Sequence, residues 1–277
     1  MRSKAVLTFQ LKQNLCTIRT QLLFILISIF VYATIRPVND FAAAYHIGVR
    51  PWAFPVLTND YVCQLVIMAG AVILFSNAPF DSEIRLYLLP RTGNQAWALG
   101  CCLYIAFMSL LYVALLNLIS LMAVLPQIEL GADWGIAWNS LGRGGYAREF
   151  SLALRTHPYL IGAYSPQEAL ILSNLLEWLC CMFLGLVSLV LSSITNSNLG
   201  TLASAGFVMM DISVANEWAQ WCYHISPVTM AQLSCLGNRR SVYGIDRAYA
   251  FRFFTVTILA LAVFHVWSQN TKMIRRG

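Results

Sequence analysis

The sequence predicts an all-α integral membrane protein with six transmembrane helices, an N-terminal amphipathic surface helix, a short cytoplasmic helix and outer re-entrant short helices. Three observations carry this. Of 277 residues, 58% are hydrophobic and 11% charged, with a mean hydropathy of +0.64. Soluble domains carry roughly a quarter charged residues, and 18 basic with 12 acidic side chains could not cover so much apolar surface. Six segments approach the ~20 apolar residues that a hydrocarbon crossing requires. The connections between them read as amphipathic helices and turns. A soluble enzyme, a nucleic-acid binder and a disordered chain are set aside.

Residues 1–277 read as one transmembrane domain. It opens with Leu7, Leu11, Leu15, Ile18 and Leu22 on one helix face, with Lys4, Thr8, Lys12, Gln13 and Asn14 on much of the rest. Residues 1–17 are therefore expected to lie along the membrane surface, the alternative being an extension of the first span. That span is Ile18–Ile35. Ala42-Ala43-Ala44 after it looks like a cleavage site, but the long charged leader and five later spans favour a retained helix.

The second span is expected over Tyr61–Asn77. Beyond it Pro79 suits a helix start, Asp81 and Glu83 its first turn, and Pro90 its stop. Phe80, Ile84, Tyr87 and Leu88 make an apolar stripe on this 79–89 helix, which ends in an Arg91-Thr92-Gly93 turn. The stripe fits either lipid headgroups or a groove on another protein.

The third span, Ala96–Leu125, contains no charge. An external segment over 126–167 follows, with Trp134, Trp138, Tyr146 and Tyr159 suited to an interface and a Gly142-Arg143-Gly144-Gly145 turn. Spans four to six are Ala169–Ile194, Leu199–Ala215 and Tyr249–Trp267. The second external segment, 216–248, carries Trp218, Trp221, Tyr223 and the Ser226-Pro227 break, as expected of short helices dipping into the outer leaflet.

Basic residues divide evenly between the two sides. Arg2, Lys4, Lys12 and Arg19 before the first span outnumber Arg36 and Arg50 after it, which places both termini in the cytoplasm of a multi-pass cell-membrane protein. The net charge of +6 and pI near 9.0 follow from such flanking residues and imply no nucleic acid.

Two acids fall inside the spans. Glu177 lies about 13 Å inward of Glu168, and Asp211 about 18 Å from the cytoplasmic end of its helix, at helical rise. Both belong to the middle or outer half of the bilayer, where Arg252 enters on span six. One reading pairs Asp211 or Glu177 with Arg252 or with amides such as Asn174. The other turns Glu177 to a substrate pathway, where it attracts a cationic cargo. The eight cysteines form no metal pattern, and Cys222 and Cys235, in one external segment, leave a disulfide open.

No G-x-x-x-x-G-K-[ST], H-E-x-x-H or G-x-S-x-G occurs, so the chain brings no P-loop, zincin site or nucleophile elbow. The order of elements resembles the type-2 ABC transporter permeases, the six-span membrane subunits with the type V exporter fold. The likeness rests on the surface helix Met1–Cys16, on Asn77-Ala78-Pro79-Phe80-Asp81 with Tyr87 and Arg91-Thr92-Gly93, and on His224-Ile225-Ser226-Pro227-Val228-Thr229. It implies a permease subunit, not itself an enzyme, that forms the substrate pathway of an exporter. It further implies a cytoplasmic coupling helix with Phe80, Asp81, Ile84, Tyr87 and Arg91 against an ABC ATPase subunit that binds ATP and Mg. A second permease half, the same chain or a relative, would complete the pathway. The other classes left open are a secondary transporter and a membrane-bound immunity factor or intramembrane enzyme.

Overall fold

The computed structural model describes residues 2–80, 92–143, 150, 152–195, 197–218, 220–237 and 245–274. Among these every regular element is helical, and extended pairing is limited to one parallel bridge between Val49 and Ile128. Four helices, Ile18–Ala44, Asn94–Gln127, Pro166–Thr195 and Arg247–Asn270, are long and apolar enough to cross a membrane.

Helix α1 (Arg2–Leu15) packs across α5 (Asn94–Val124). Val6 and Gln10 are buried there, and a Cβ on Gly100 would stand 2.5 Å from Val6, so the glycine is what admits α1 so closely. Leu7, Leu11 and Leu15 flank this contact half-buried, while Lys4 and Lys12 stay exposed. The leucine face is thus seated partly on the bundle itself.

Thr17 caps α2 (Ile18–Ala44), accepting a hydrogen bond from the Thr20 amide. The helix continues through Pro37 and runs well past the expected end at Ile35. Val38, Phe41 and Ala42 beyond the proline are buried, and Asn39 Nδ2 donates to the Ala123 carbonyl. These contacts outweigh the backbone bond that Pro37 cannot make.

The expected second span is α4 (Tyr61–Phe75), and the fifth is α9 (Leu199–Ala215), of 15 and 17 residues. At ~1.5 Å per residue these reach about 22 and 25 Å, short of a ~30 Å hydrocarbon layer. A separate buried helix, α3 (Ala53–Thr58), precedes α4 across a break at Asn59-Asp60. Helices α8 (Pro166–Thr195) and α11 (Arg247–Ile274) complete the bundle. Helices α8 and α9 approach closely, since a Cβ on Gly200 would lie 2.1 Å from the Ser188 carbonyl oxygen. Ile25, Leu26, Leu118, Leu202, Val256 and Val263 are each more than half exposed, so the bundle presents an apolar outer surface.

One end of the bundle holds α1, the turn after α4 and the start of α9. Arg19 reaches the Ile73 carbonyl at 2.8 Å, Thr201 the Ser76 carbonyl at 3.4 Å, and Asn94 the Gln269 carbonyl at 3.2 Å. The far end carries α6 (Gly135–Arg143), α7 (Pro158–Ala163) and α10 (Pro227–Ala231).

Two expectations change at this far end. Trp134 and Trp138 are buried rather than placed at an interface, because each indole N–H finds a carbonyl, Tyr164 and Arg50 respectively, at 2.9 Å. Arg50 in turn pairs with Glu129 at 3.2 Å and Asp133 at 3.4 Å. Gly142 and Arg143, expected in a turn, belong to α6, where Ile161 of α7 occupies the space that a Cβ on Gly142 would need. Trp218 and Trp221 are exposed.

Candidate functional site

The two acids expected inside the spans are both buried, one fully so and the other 2% exposed. They lie in one polar cluster between α4, α8, α9 and α10. Asp211, on α9, accepts a 2.6 Å hydrogen bond from Thr229 Oγ1 at Oδ1 and a 3.1 Å bond from Gln232 Nε2 at Oδ2. Thr229 is held in turn by Ser226, whose Oγ accepts its backbone N–H at 3.3 Å and lies 2.8 Å from its hydroxyl oxygen, to which the Ser226 O–H can donate. Pro227 occupies the first turn of α10, where its missing N–H leaves no donor unsatisfied, and Ser226 caps it. The Ser226-Pro227-Val228-Thr229 run is therefore a short buried helix hooked onto Asp211.

Glu177 projects from α8 with the Gln64 amide of α4 beside its carboxyl and Asp211 at longer range. Both Glu177 oxygens and both polar atoms of Gln64 lack a hydrogen bond among the described residues, as does Ser173 Oγ one turn earlier on α8. Tyr112 of α5 also borders Glu177, but its hydroxyl donates to the Ile67 carbonyl at 2.8 Å.

Arg252 does not join this cluster. It sits exposed on α11 and forms no ion pair among the described residues, so of the two kinds of partner expected, an arginine or an amide, Arg252 is not the one found. The guanidinium lies on the solvated or lipid-facing side of its helix, so hydroxyl and amide donors take its place at Asp211. Asn174 serves neither acid. It exchanges amide bonds with Asn117 of α5, at 2.6 Å and 3.4 Å, and so ties α8 to α5.

Cys222 and Cys235 are free thiols. Cys222 is buried in the Gln220–His224 turn. Cys235 directs its sulfur inward at Gln232 Oε1, 3.7 Å away. Burial, with Asp211 nearby, pushes the Cys235 thiol up to about 12.

Of the expected coupling residues, Asp81, Ile84, Tyr87 and Arg91 lie outside the described residues. Phe80 is 6% exposed and packs edge-on against Tyr104 of α5, with ring centroids 4.9 Å apart. Its ring is spent inside the chain, and the backbone at Phe80 adopts φ +59°.

Three participants escaped the sequence reading. Gln64 was visible as a lone amide in an apolar run, the signal that should have flagged it. Thr229 and Gln232 belong to the 216–248 segment, and no periodicity links them to Asp211. The Asn59-Asp60 break falls between two apolar stretches. Asp60 accepts from Cys63 N at 2.9 Å and from Arg155 N at 3.0 Å, while Asn59 Oδ1 accepts from Ser234 N at 2.6 Å.

The cluster offers carboxyl, amide and hydroxyl groups, a set suited to holding a proton or an ammonium-type cation. No group of three or more His, Cys, Asp or Glu side chains that could hold a metal occurs among the described residues. No family model, curated protein or solved structure matches the chain.

Proposed function

We propose that the chain is the membrane-spanning permease subunit of an ABC exporter. In this reading it crosses the cell membrane six times with both termini in the cytoplasm. A separate ATPase subunit binds ATP and Mg and pushes on the 79–89 segment, and a second permease half completes the substrate pathway. The observation that carries the proposal is the division of labour between the bundle ends. The end bearing α1 also gathers the turn after α4 and the start of α9, and the proposal gives this end to the partner. The other end carries the short buried helix α10, hooked to Asp211. The chain has no P-loop of its own, so driven transport would need that partner.

Because Phe80 is buried, the proposal is tested at Tyr87. Purification of the full chain in mild detergent should bring down a P-loop ATPase, and Tyr87→Asp should abolish its recovery while the chain stays inserted. A chain that purifies alone and transports in proteoliposomes without ATP would overturn the proposal. It would support a secondary carrier instead, a reading favoured by the helix break before α4 and the unpartnered Glu177.

A further inference from the structure

We propose that Glu177 and Gln64 form a proton-binding site inside the helical bundle. The inference goes beyond the transport proposal and stands whichever energy source drives the chain.

The argument is a count of donors and acceptors. Glu177 and Gln64 are 0% exposed, and their four terminal polar atoms, Oε1 and Oε2 of the acid and Oε1 and Nε2 of the amide, all lack partners among the described residues. Buried polar atoms in native proteins are nearly always satisfied. An ionised Glu177 is acceptor-only, so it could take the Gln64 N–H but would leave the Gln64 carbonyl oxygen facing a negative charge. A protonated Glu177 gains one O–H. Once the two adjacent side chains rotate into contact, that group donates to Gln64 Oε1 while Gln64 Nε2 donates to the other carboxyl oxygen, and a single proton then satisfies all four atoms.

The charged and titratable surroundings agree. From α9 the nearest ionisable group is Asp211, a second acid, whose oxygens are already taken by Thr229 and Gln232. From α5 it is Tyr112, committed to the Ile67 carbonyl. On α8 itself Cys180 and Cys181 are buried thiols. The α10 contribution is the uncharged Thr229, and Arg252 of α11 points elsewhere. At the α3–α4 break, Asp60 is occupied by Cys63 N and Arg155 N. No described cation stands against Glu177, so the countercharge is supplied by the proton. Movement of α4 away from α8 would admit water, break the acid–amide pair and release that proton.

Infrared difference spectroscopy on the full chain in lipid nanodiscs at neutral pH tests this. Wild type should show a protonated-carboxyl C=O band that Glu177→Gln removes and Asp211→Asn leaves in place. Gln64→Leu should keep the band but move it to higher frequency, since the C=O loses its amide donor. That variant also covers the case in which Glu177→Gln fails to fold. Loss of only carboxylate bands in Glu177→Gln, or an unshifted band in Gln64→Leu, overturns the proposal. So does replacement of the protonated band by a carboxylate band on adding sodium chloride, which would make the site one for an alkali ion.

Discussion

Asp211 and Thr229, 18 residues apart, meet through a 2.6 Å hydrogen bond that fastens the short helix α10 to α9 inside the bundle. A hydroxyl donating to a carboxyl oxygen out of water is among the stronger side-chain bonds, and its loss leaves an acceptor that cannot turn to solvent.

Thr229→Val keeps the shape of the side chain and removes this donor. It should cost about 1–3 kcal/mol, most of it from the under-satisfied acid. A lowered unfolding midpoint in detergent for Thr229→Val, with Thr229→Ser close to wild type, is the expected pattern. Equal midpoints for all three proteins would mean that the bond contributes nothing.

A second expectation concerns two glycines on α9. At Gly200 a methyl group would lie 2.1 Å from the Ser188 backbone oxygen, whereas at Gly206 nothing stands within 4 Å. Gly200→Ala should therefore force α9 off α8 and destabilise by about 1–3 kcal/mol. Gly206→Ala should be neutral or slightly stabilising, because alanine is the better helix former. Comparing the two midpoints and monodisperse yields checks this, and equal tolerance at both sites would contradict the close approach.

Thiol chemistry should divide the cysteines sharply. Cys16 is exposed, while the Cys235 thiol turns inward and is pushed up to about 12. Because maleimides react with the thiolate, a pKa near 12 leaves about one Cys235 in ten thousand reactive at pH 8, and the fraction rises tenfold per pH unit. A membrane-impermeant maleimide should label Cys16 and spare Cys235 at pH 8. In sealed vesicles, labelling of Cys16 from the cytoplasmic face alone would agree with the proposed orientation.

The helical class and four of the long helices were legible because apolar runs of that length have few alternatives. The buried acids were legible for a related reason, since a carboxylate in an apolar segment stands out. Their partners were not. The sequence leaves Arg252 and amides such as Asn174 equally open as partners, because long-range pairing depends on the rotational setting of each helix, and α11 turns Arg252 outward. Amides and hydroxyls filled the role instead, and these residue types are too common along the chain to announce themselves. Trp134 and Trp138 failed similarly, because their composition alone suits both a membrane interface and a hydrogen-bonded outer core.

The break at Asn59-Asp60 makes the far-end connections structural rather than ornamental. Arg155, in the stretch after α6, and Ser234, in the stretch after α10, both donate their backbone amides to these neighbouring residues. The two stretches are thus stapled to a single hinge of the chain, where a helix ends and another begins. Chimeras that exchange either stretch with a foreign sequence must reproduce the position of one backbone amide. A graft that shortens the path to Arg155 or Ser234 would be felt at the start of α4, a helical turn from Gln64.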